Sequence, residues 1–196
     1  FDKNQGNIYS RFTNPTVSAF QNKLAALEGA EKCQATASGM SAIFATIMTI
    51  LKPGDHMVAS RCMFGTTIVL LNSIIEKFGI TVTFVDLSDL KGWKKSIQKN
   101  TKLFLLETPS NPLGEVVEIE KLAAISKEND IILAVDNCIM SPALQRPLSL
   151  GADLVLHSAT KYIDGQGRCL AGAVAGKASI VDSISSVSYT HLTLPT

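Results

Sequence analysis

The sequence predicts an α/β fold of three layers, α/β/α, built on a mostly parallel sheet. Three observations carry this reading. Short apolar runs of strand length alternate with segments of helical period. The intervals between the runs hold a crossover helix rather than a hairpin turn. Polar residues recur directly after the apolar runs, where open α/β sheets expose the carboxyl ends of their strands.

The elements follow in chain order. Asn14-Pro15 reads as a helix start, a capping side chain followed by proline at the first helical position. Val17, Phe20, Leu24 and Leu27 recur at helical spacing, and Gly29 closes the helix. A second helix is expected from about 40 to 51, stopped by Lys52-Pro53-Gly54-Asp55. Strands are expected at 57–59, 81–85, 103–106, 131–135 and 154–156, with helical segments between them. Past residue 180 the pattern fades, and 188–196 has neither helical nor alternating period. That tail is expected to be irregular or foreign to the fold.

Composition narrows the function classes. The chain has 196 residues, 46% hydrophobic and 18% charged, with a net charge of +1. This suits one soluble domain with a substantial core. A balance so near neutral argues against nucleic acid or an anionic membrane as partner, since both require a basic footprint. Apolar stretches such as 43–51 and 131–135 are too short to span a bilayer. Cys33, Cys62, Cys138 and Cys169 lie far apart without a CxxC pair, so no metal site is expected. Buried reduced thiols in a cytoplasmic protein are expected instead. No leader sequence is visible. The chain opens on Phe1 and its first residues read as mid-protein sequence, so a piece of a longer chain is expected.

Three strand-end stretches can carry chemistry. In "TASGMSA", Ser38, Gly39 and Met40 precede a helix, where main-chain amides and a glycine allowing close approach form a phosphate cradle. Small residues before a helix are also common without any ligand. In "ILAVDNC", Asp136 ends an apolar strand, where a carboxylate calls for a cationic partner. A turn-capping aspartate is the alternative. In "SATKYIDGQGRC", Lys161 sits between Ser158 and Thr160 on one side and a glycine-rich loop on the other. A solvated surface lysine is the plain reading; a held, desolvated nucleophile is the functional one.

Together the three stretches make the recurring kit for pyridoxal phosphate: a phosphate cradle, an acid for the pyridinium nitrogen and a lysine that joins the cofactor as a Schiff base. Other schemes fit poorly. No GxxxxGK[ST] P-loop and no GxSxG hydrolase elbow occurs, and "GQGRCLAG" lacks the third glycine of a dinucleotide fingerprint.

At this level the chain resembles a known family. "YSRFTNPT", "TASGMSAI", "ETPSNPLGE", "AVDNC" and "SATKYIDGQGRC" occur in the order found in the Cys/Met-metabolism group of fold-type I pyridoxal phosphate enzymes. This resemblance runs from about Asn7 to Gly176. It implies the large domain of an aspartate-aminotransferase-like transferase, with residues 1–14 as part of an N-terminal arm. Residues 15–187 would then be an incomplete cofactor-binding domain, with no C-terminal small domain. By position, Lys161 is implied as the cofactor-bonding lysine and Asp136 as the acid at the ring nitrogen. Ser38, Gly39, Met40, Ser158 and Thr160 are implied phosphate binders, with Asn111 near the ring. Tyr9 and Arg11 are implied to reach the phosphate of a neighbouring subunit, hence a homo-oligomer assembled as a dimer of dimers.

The ring-stacking position, often tyrosine in the family, is Phe64 in "CMFGTT". Phenylalanine keeps the aromatic face and has no hydroxyl to move protons. The implied activity is γ-replacement on an amino-acid ester with sulfide, in the sulfhydrylase branch of transsulfuration and methionine biosynthesis. Cystathionine synthases and lyases, or a cofactor-binding fragment without activity, are the alternatives.

Overall fold

The computed structural model describes residues 6, 7, 9, 10 and 12–191. Helix α1 (Pro15–Glu28) starts where the sequence places it. Asn14 caps it by accepting from the amides of Thr16 and Val17, and Gly29 ends it in the left-handed conformation. Then come β1 (Lys32–Thr36), α2 (Gly39–Ile50), β2 (His56–Ser60), α3 (Gly65–Ser73), β3 (Thr81–Val85) and α4 (Leu90–Lys95). The chain continues through β4 (Thr101–Glu107), α5 (Ile119–Glu128), β5 (Ile132–Asp136), α6 (Ser141–Leu144), β6 (Leu154–Ser158), β7 (Gly172–Gly176) and α7 (Ala178–His191).

The seven strands form one sheet in the order β1-β7-β6-β5-β4-β2-β3. The run from β6 to β3 is parallel, and β7 is antiparallel to both of its neighbours. The mostly parallel sheet is therefore as expected. Strands β1 and β7 were not expected, because "KCQAT" and "GAVAG" hold only one branched apolar residue between them, Val174. They form because each completes the other's ladder across the edge of the sheet, with Lys32 facing Gly176 and Thr36 facing Gly172.

Alternate residues of the central strands feed two separate cores, which makes the structure three layers deep. Leu103, Leu105, Ala134, Leu154 and Leu156 pack under α2, α3 and α7. Phe104, Leu106, Leu133 and Val135 pack with Trp93, Ile119 and Leu122 on the opposite face. At the end of the sheet, Leu24 and Ala25 of α1 cover Ala173 and Ala175 of β7 on that same opposite face. Helix α2 carries Ala42, Ile43, Ala45, Thr46 and Ile47 into the first core, so its N-terminus is pinned over the carboxyl ends of the strands.

The expected irregular tail needs correction. Helix α7 continues to His191, and Val181 and Ile184 bury fully against the core, which carries the helical pattern past residue 188. Residues 192–196 lie outside the described residues. The four cysteines are free, but only Cys33 is buried; Cys62 and Cys138 are half-buried and Cys169 is exposed. No helix among the described residues is long and apolar enough to cross a membrane, and none of their side-chain clusters could hold a metal ion.

Candidate active site

A cavity of about 430 Å³ opens at the carboxyl ends of β4, β5 and β6, below the first turn of α2. Nine of the eleven positions named from sequence line it: Ser38, Gly39, Met40, Phe64, Asn111, Asp136, Ser158, Thr160 and Lys161. Tyr9 does not. It is partly exposed, its carbonyl accepts from the amides of Phe12 and Thr13, and its ring lies 5.9 Å from that of Phe12. Arg11 lies outside the described residues.

The α2 end of the cavity is built for an anion. Ser38 caps the helix in a closed box: its hydroxyl accepts from the amide of Ser41, and the Ser41 hydroxyl accepts from the amide of Ser38. The box leaves the amides of Gly39 and Met40 without a hydrogen-bond partner among the described residues. Both sit at the positive end of the helix dipole. Gly39 is required here by space. A Cβ on it would stand 2.7 Å from Ser158 Cβ and 2.9 Å from Ser158 Cα, so only glycine lets the helix meet the end of β6.

The strand ends supply opposite charges. Asp136 is the last residue of β5, and its Oδ1 accepts from the amide of Cys138 at 3.0 Å. The turn-capping reading is thus correct for one oxygen, while the side chain also faces the cavity. Burial pushes this carboxyl up to about 7, the neighbouring Glu107 charge adds to the rise, and the Cys138 amide opposes it. None of the ion pairs among the described residues involves Asp136. An acid left inside without a cation fits a ligand that brings one.

Lys161 follows β6 in a turn closed by its own amide to Ser158 O at 3.2 Å. Its side chain lines the same cavity but is exposed, so the desolvation expected of it is not provided by this chain alone. The glycine-rich loop beyond it serves geometry. Asp164 accepts from the amides of Gln166 and Arg168, which hold its carboxyl below the usual range, and Gly165 and Gly167 take positive φ. Thr160 is tied to the strand that follows this loop: its hydroxyl accepts from the amide of Ala171 at 3.0 Å and donates to Ala171 O at 3.2 Å.

Sequence reasoning missed Glu107, Thr67 and Cys138, which also line the cavity. Glu107 ends β4 directly after "LFLL", the same signal that marked Asp136, and the two are partners in the ladder of adjacent strands. Cys138 donates weakly to Ser158 O at 3.6 Å, and burial together with the Asp136 charge pushes its thiol up to about 11.

A second polar cluster lies behind the sheet. His157 Nε2 meets Glu28 Oε1 at 2.5 Å, and Asn137 Nδ2 donates to the same oxygen at 3.2 Å. Gln145 extends it by donating to Asn137 Oδ1 and to Thr108 O. Both Glu28 and His157 are 1% exposed.

An α/β/α sheet with a helix-end anion cradle, a partnerless acid and a lysine in one strand-end cavity has the parts that a pyridoxal phosphate enzyme calls for. The comparisons with known proteins agree. The sequence profile of the Cys/Met metabolism PLP-dependent enzymes matches residues 1–191, and the chain belongs to that family. O-succinylhomoserine sulfhydrylase of Pseudomonas aeruginosa is 57% identical over 172 residues, 88% of this chain and 43% of the relative. L-methionine gamma-lyase of Fusobacterium nucleatum is 43% identical over 189 residues, 96% of this chain and 48% of the relative. The crystal structure of metB from Corynebacterium glutamicum superposes with a TM-score of 0.92 at 38% identity, covering 95% of this chain and 49% of that one. The chain thus spans a little under half the length of these relatives. The cofactor of the family is pyridoxal 5'-phosphate, and the anion cradle and the unpaired Asp136 of this cavity fit it.

Proposed function

We propose that the protein is a γ-replacement transferase that makes homocysteine from O-succinylhomoserine or O-acetylhomoserine and sulfide. The observation that carries the reading is one cavity lined by both Lys161 and Asp136 below the free amides of α2. The similarity to a sulfhydrylase over most of the chain supports the choice within the family. Methionine gamma-lyases are similar as well, which keeps γ-elimination as the second reading. Phe64 weighs against it, since it offers an aromatic face and no hydroxyl at the cavity wall.

In this reading the amides of Gly39 and Met40, with the Ser158 hydroxyl, bind the phosphate. Thr160 joins them only by giving up its proton to the phosphate in place of Ala171 O. Phe64 would offer its aromatic face to the ring, and Asn111 would lie near it. Asp136 would keep a proton on the ring nitrogen, and that cation would give its carboxylate the partner that the described residues do not supply. Bound pyridoxal phosphate supplies the electron sink for the substrate's α-carbon. Lys161 would anchor the cofactor, and its Nζ would be the base that takes the proton from the substrate's α-carbon. Exposed as it is, Lys161 needs the cofactor and a second copy of the chain to exclude water around it. Tyr9 and Arg11 of that neighbouring copy would reach the phosphate, in a homo-oligomer built as a dimer of dimers in the cytoplasm.

The test is a titration with pyridoxal phosphate followed by an assay with each ester and sulfide. The expected result is a visible absorbance band that Lys161→Ala abolishes, and homocysteine release. A band that survives Lys161→Ala removes the site assignment. A lysine-dependent band without homocysteine removes the transferase reading and leaves a cofactor-binding domain.

A further inference from the structure

Glu107 is a buried carboxylate that the proposed chemistry leaves without a task. It is 4% exposed, lines the cavity, and stands opposite Asp136 in the ladder between β4 and β5. Two acids side by side at a strand edge repel each other, so something must hold the second in place. Its partners are main-chain amides from two different loops. Phe64 donates its N–H to Glu107 Oε2 at 2.7 Å, and the amide of Asn111 lies on the side of this carboxylate where it favours the charged form.

Those two amides belong to different loops that both line the cavity. Phe64 is the residue before α3, a helix that has no side-chain cap of its own. Asn111 sits in the segment after β4, a loop closed internally by Ser110 N to Glu115 O at 2.9 Å and Gly114 N to Ser110 O at 2.8 Å. One side chain rooted in the sheet therefore bridges both loops. We propose that Glu107 is a positioning residue: it fixes the Phe64 and Asn111 loops at the cavity wall and places a second negative charge beside Asp136.

The chemistry explains why the position carries an acid. A carboxylate offers acceptors on both oxygens, whereas glutamine offers one oxygen and an NH₂ that can only donate. Glutamine would leave a single uncharged oxygen to serve both amides. It would also remove the charge that helps Asp136 retain a proton, and a protonated ring nitrogen next to Asp136 would feel the same loss. Burial raises the Glu107 carboxyl while the two amides oppose the rise, consistent with a charge kept in place by main-chain donors.

This inference rests on the pyridoxal phosphate reading, and the experiment separates the two. The 196-residue chain, with Glu107→Gln and Glu107→Ala, is titrated with pyridoxal phosphate, and the circular dichroism of the visible band is recorded at saturation. That signal reports the ring's orientation, which a mere loss of stability does not change in the folded fraction. The expected result is about tenfold weaker binding for Glu107→Gln, a larger loss for Glu107→Ala, and a reduced dichroic signal per bound cofactor in both. Wild-type affinity with an unchanged signal overturns the role. Amide exchange on the unmutated chain gives a second reading independent of variant folding: slow exchange at Phe64 and Asn111 supports the bridge, and unprotected exchange at both overturns it. A wild-type chain with no Lys161-dependent band overturns the parent reading, and this inference falls with it.

Discussion

Asp136 and Asn137 are chain neighbours, as are Ser158 and His157, and each pair sends one side chain to either side of the sheet. Asn137 and His157 turn back toward Glu28 of α1, where a carboxylate buried at 1% exposure receives a histidine and an amide within the protein. Asp136 and Ser158 turn toward α2 and the cavity, where a carboxylate receives one main-chain amide and no cation. The first acid has one oxygen, Oε1, paired within the protein, while its Oε2 and His157 Nδ1 find no partner among the described residues; the cluster still ties α1, β5, β6 and α6 into one unit. The second is held in a state that burial disfavours. Position on the same two strands is shared; what differs is whether the partner comes from the fold or from outside it. An acid that the fold declines to neutralise marks a ligand's place better than its burial does.

The harshest way to break this contrast is to empty the paired side. Glu28→Ala strands His157 and Asn137 in the interior; each buried polar group left without its partner typically costs about 1–3 kcal/mol, and the cavity left by the side chain adds to that. For a chain of this size that is a fall in Tm of roughly 10 °C or more. Affinity for pyridoxal phosphate in the protein that remains folded is expected to be unchanged, since Glu28 touches nothing in the cavity. Thermal melts alongside cofactor titration check both halves. A variant with wild-type Tm would show that the cluster contributes little, and the contrast would lose its structural side.

A smaller effect is expected from Gly39→Ala. Helix propensity alone would favour alanine by up to about 1 kcal/mol. The added methyl, however, meets Ser158 backbone and side chain at 2.9 and 2.7 Å, and neither can swing away. Overpacking of this kind costs about 1–3 kcal/mol, so Tm is expected to fall by a few degrees. Because the displaced amides are those proposed to bind the phosphate, cofactor affinity should fall with it. A rise in Tm would mean that the helix end has room to spare and that glycine is absent-minded chemistry rather than a spatial demand.

Much of this arrangement was legible before any coordinates. The Asn14-Pro15 start and the Gly29 stop of α1 are local signals, and local geometry decides them. Asp136 and Lys161 were legible because a polar residue after an apolar strand has few cheap explanations. Glu107 carried the same signal and was passed over, since one acid already filled the chemical role. Strands β1 and β7 were opaque for another reason: their identity comes from each other. Gly172 in β7 is small because Ser38 O would sit 2.1 Å from a Cβ there, a contact between segments far apart in sequence. The exposure of Lys161 was equally hidden, because water exclusion depends on what covers the cavity and not on the residues beside the lysine in the chain.

The mildest change sharpens the comparison most. In the absence of cofactor, Asp136 holds its proton more tightly folded than unfolded, with the folded carboxyl near 7 against an ordinary value near 4. For an acid raised in this way, the folded state binds more protons across that window, so its contribution to stability worsens as pH rises from about 4 to about 7 and stays unfavourable above. Asp136→Asn removes the charge and keeps an oxygen for the Cys138 amide. The cofactor-free variant is expected to be more stable than the parent at pH 8 by about 1–2 kcal/mol, a gain of roughly 2–6 °C in Tm, and to match it at pH 4. With pyridoxal phosphate present the sign reverses, because the ring nitrogen loses its counter-charge and the ligand contributes less. Melts at both pH values, with and without cofactor, give the four numbers needed. A variant that is less stable in all four conditions would mean that Asp136 belongs with Glu28, as an acid the fold itself requires.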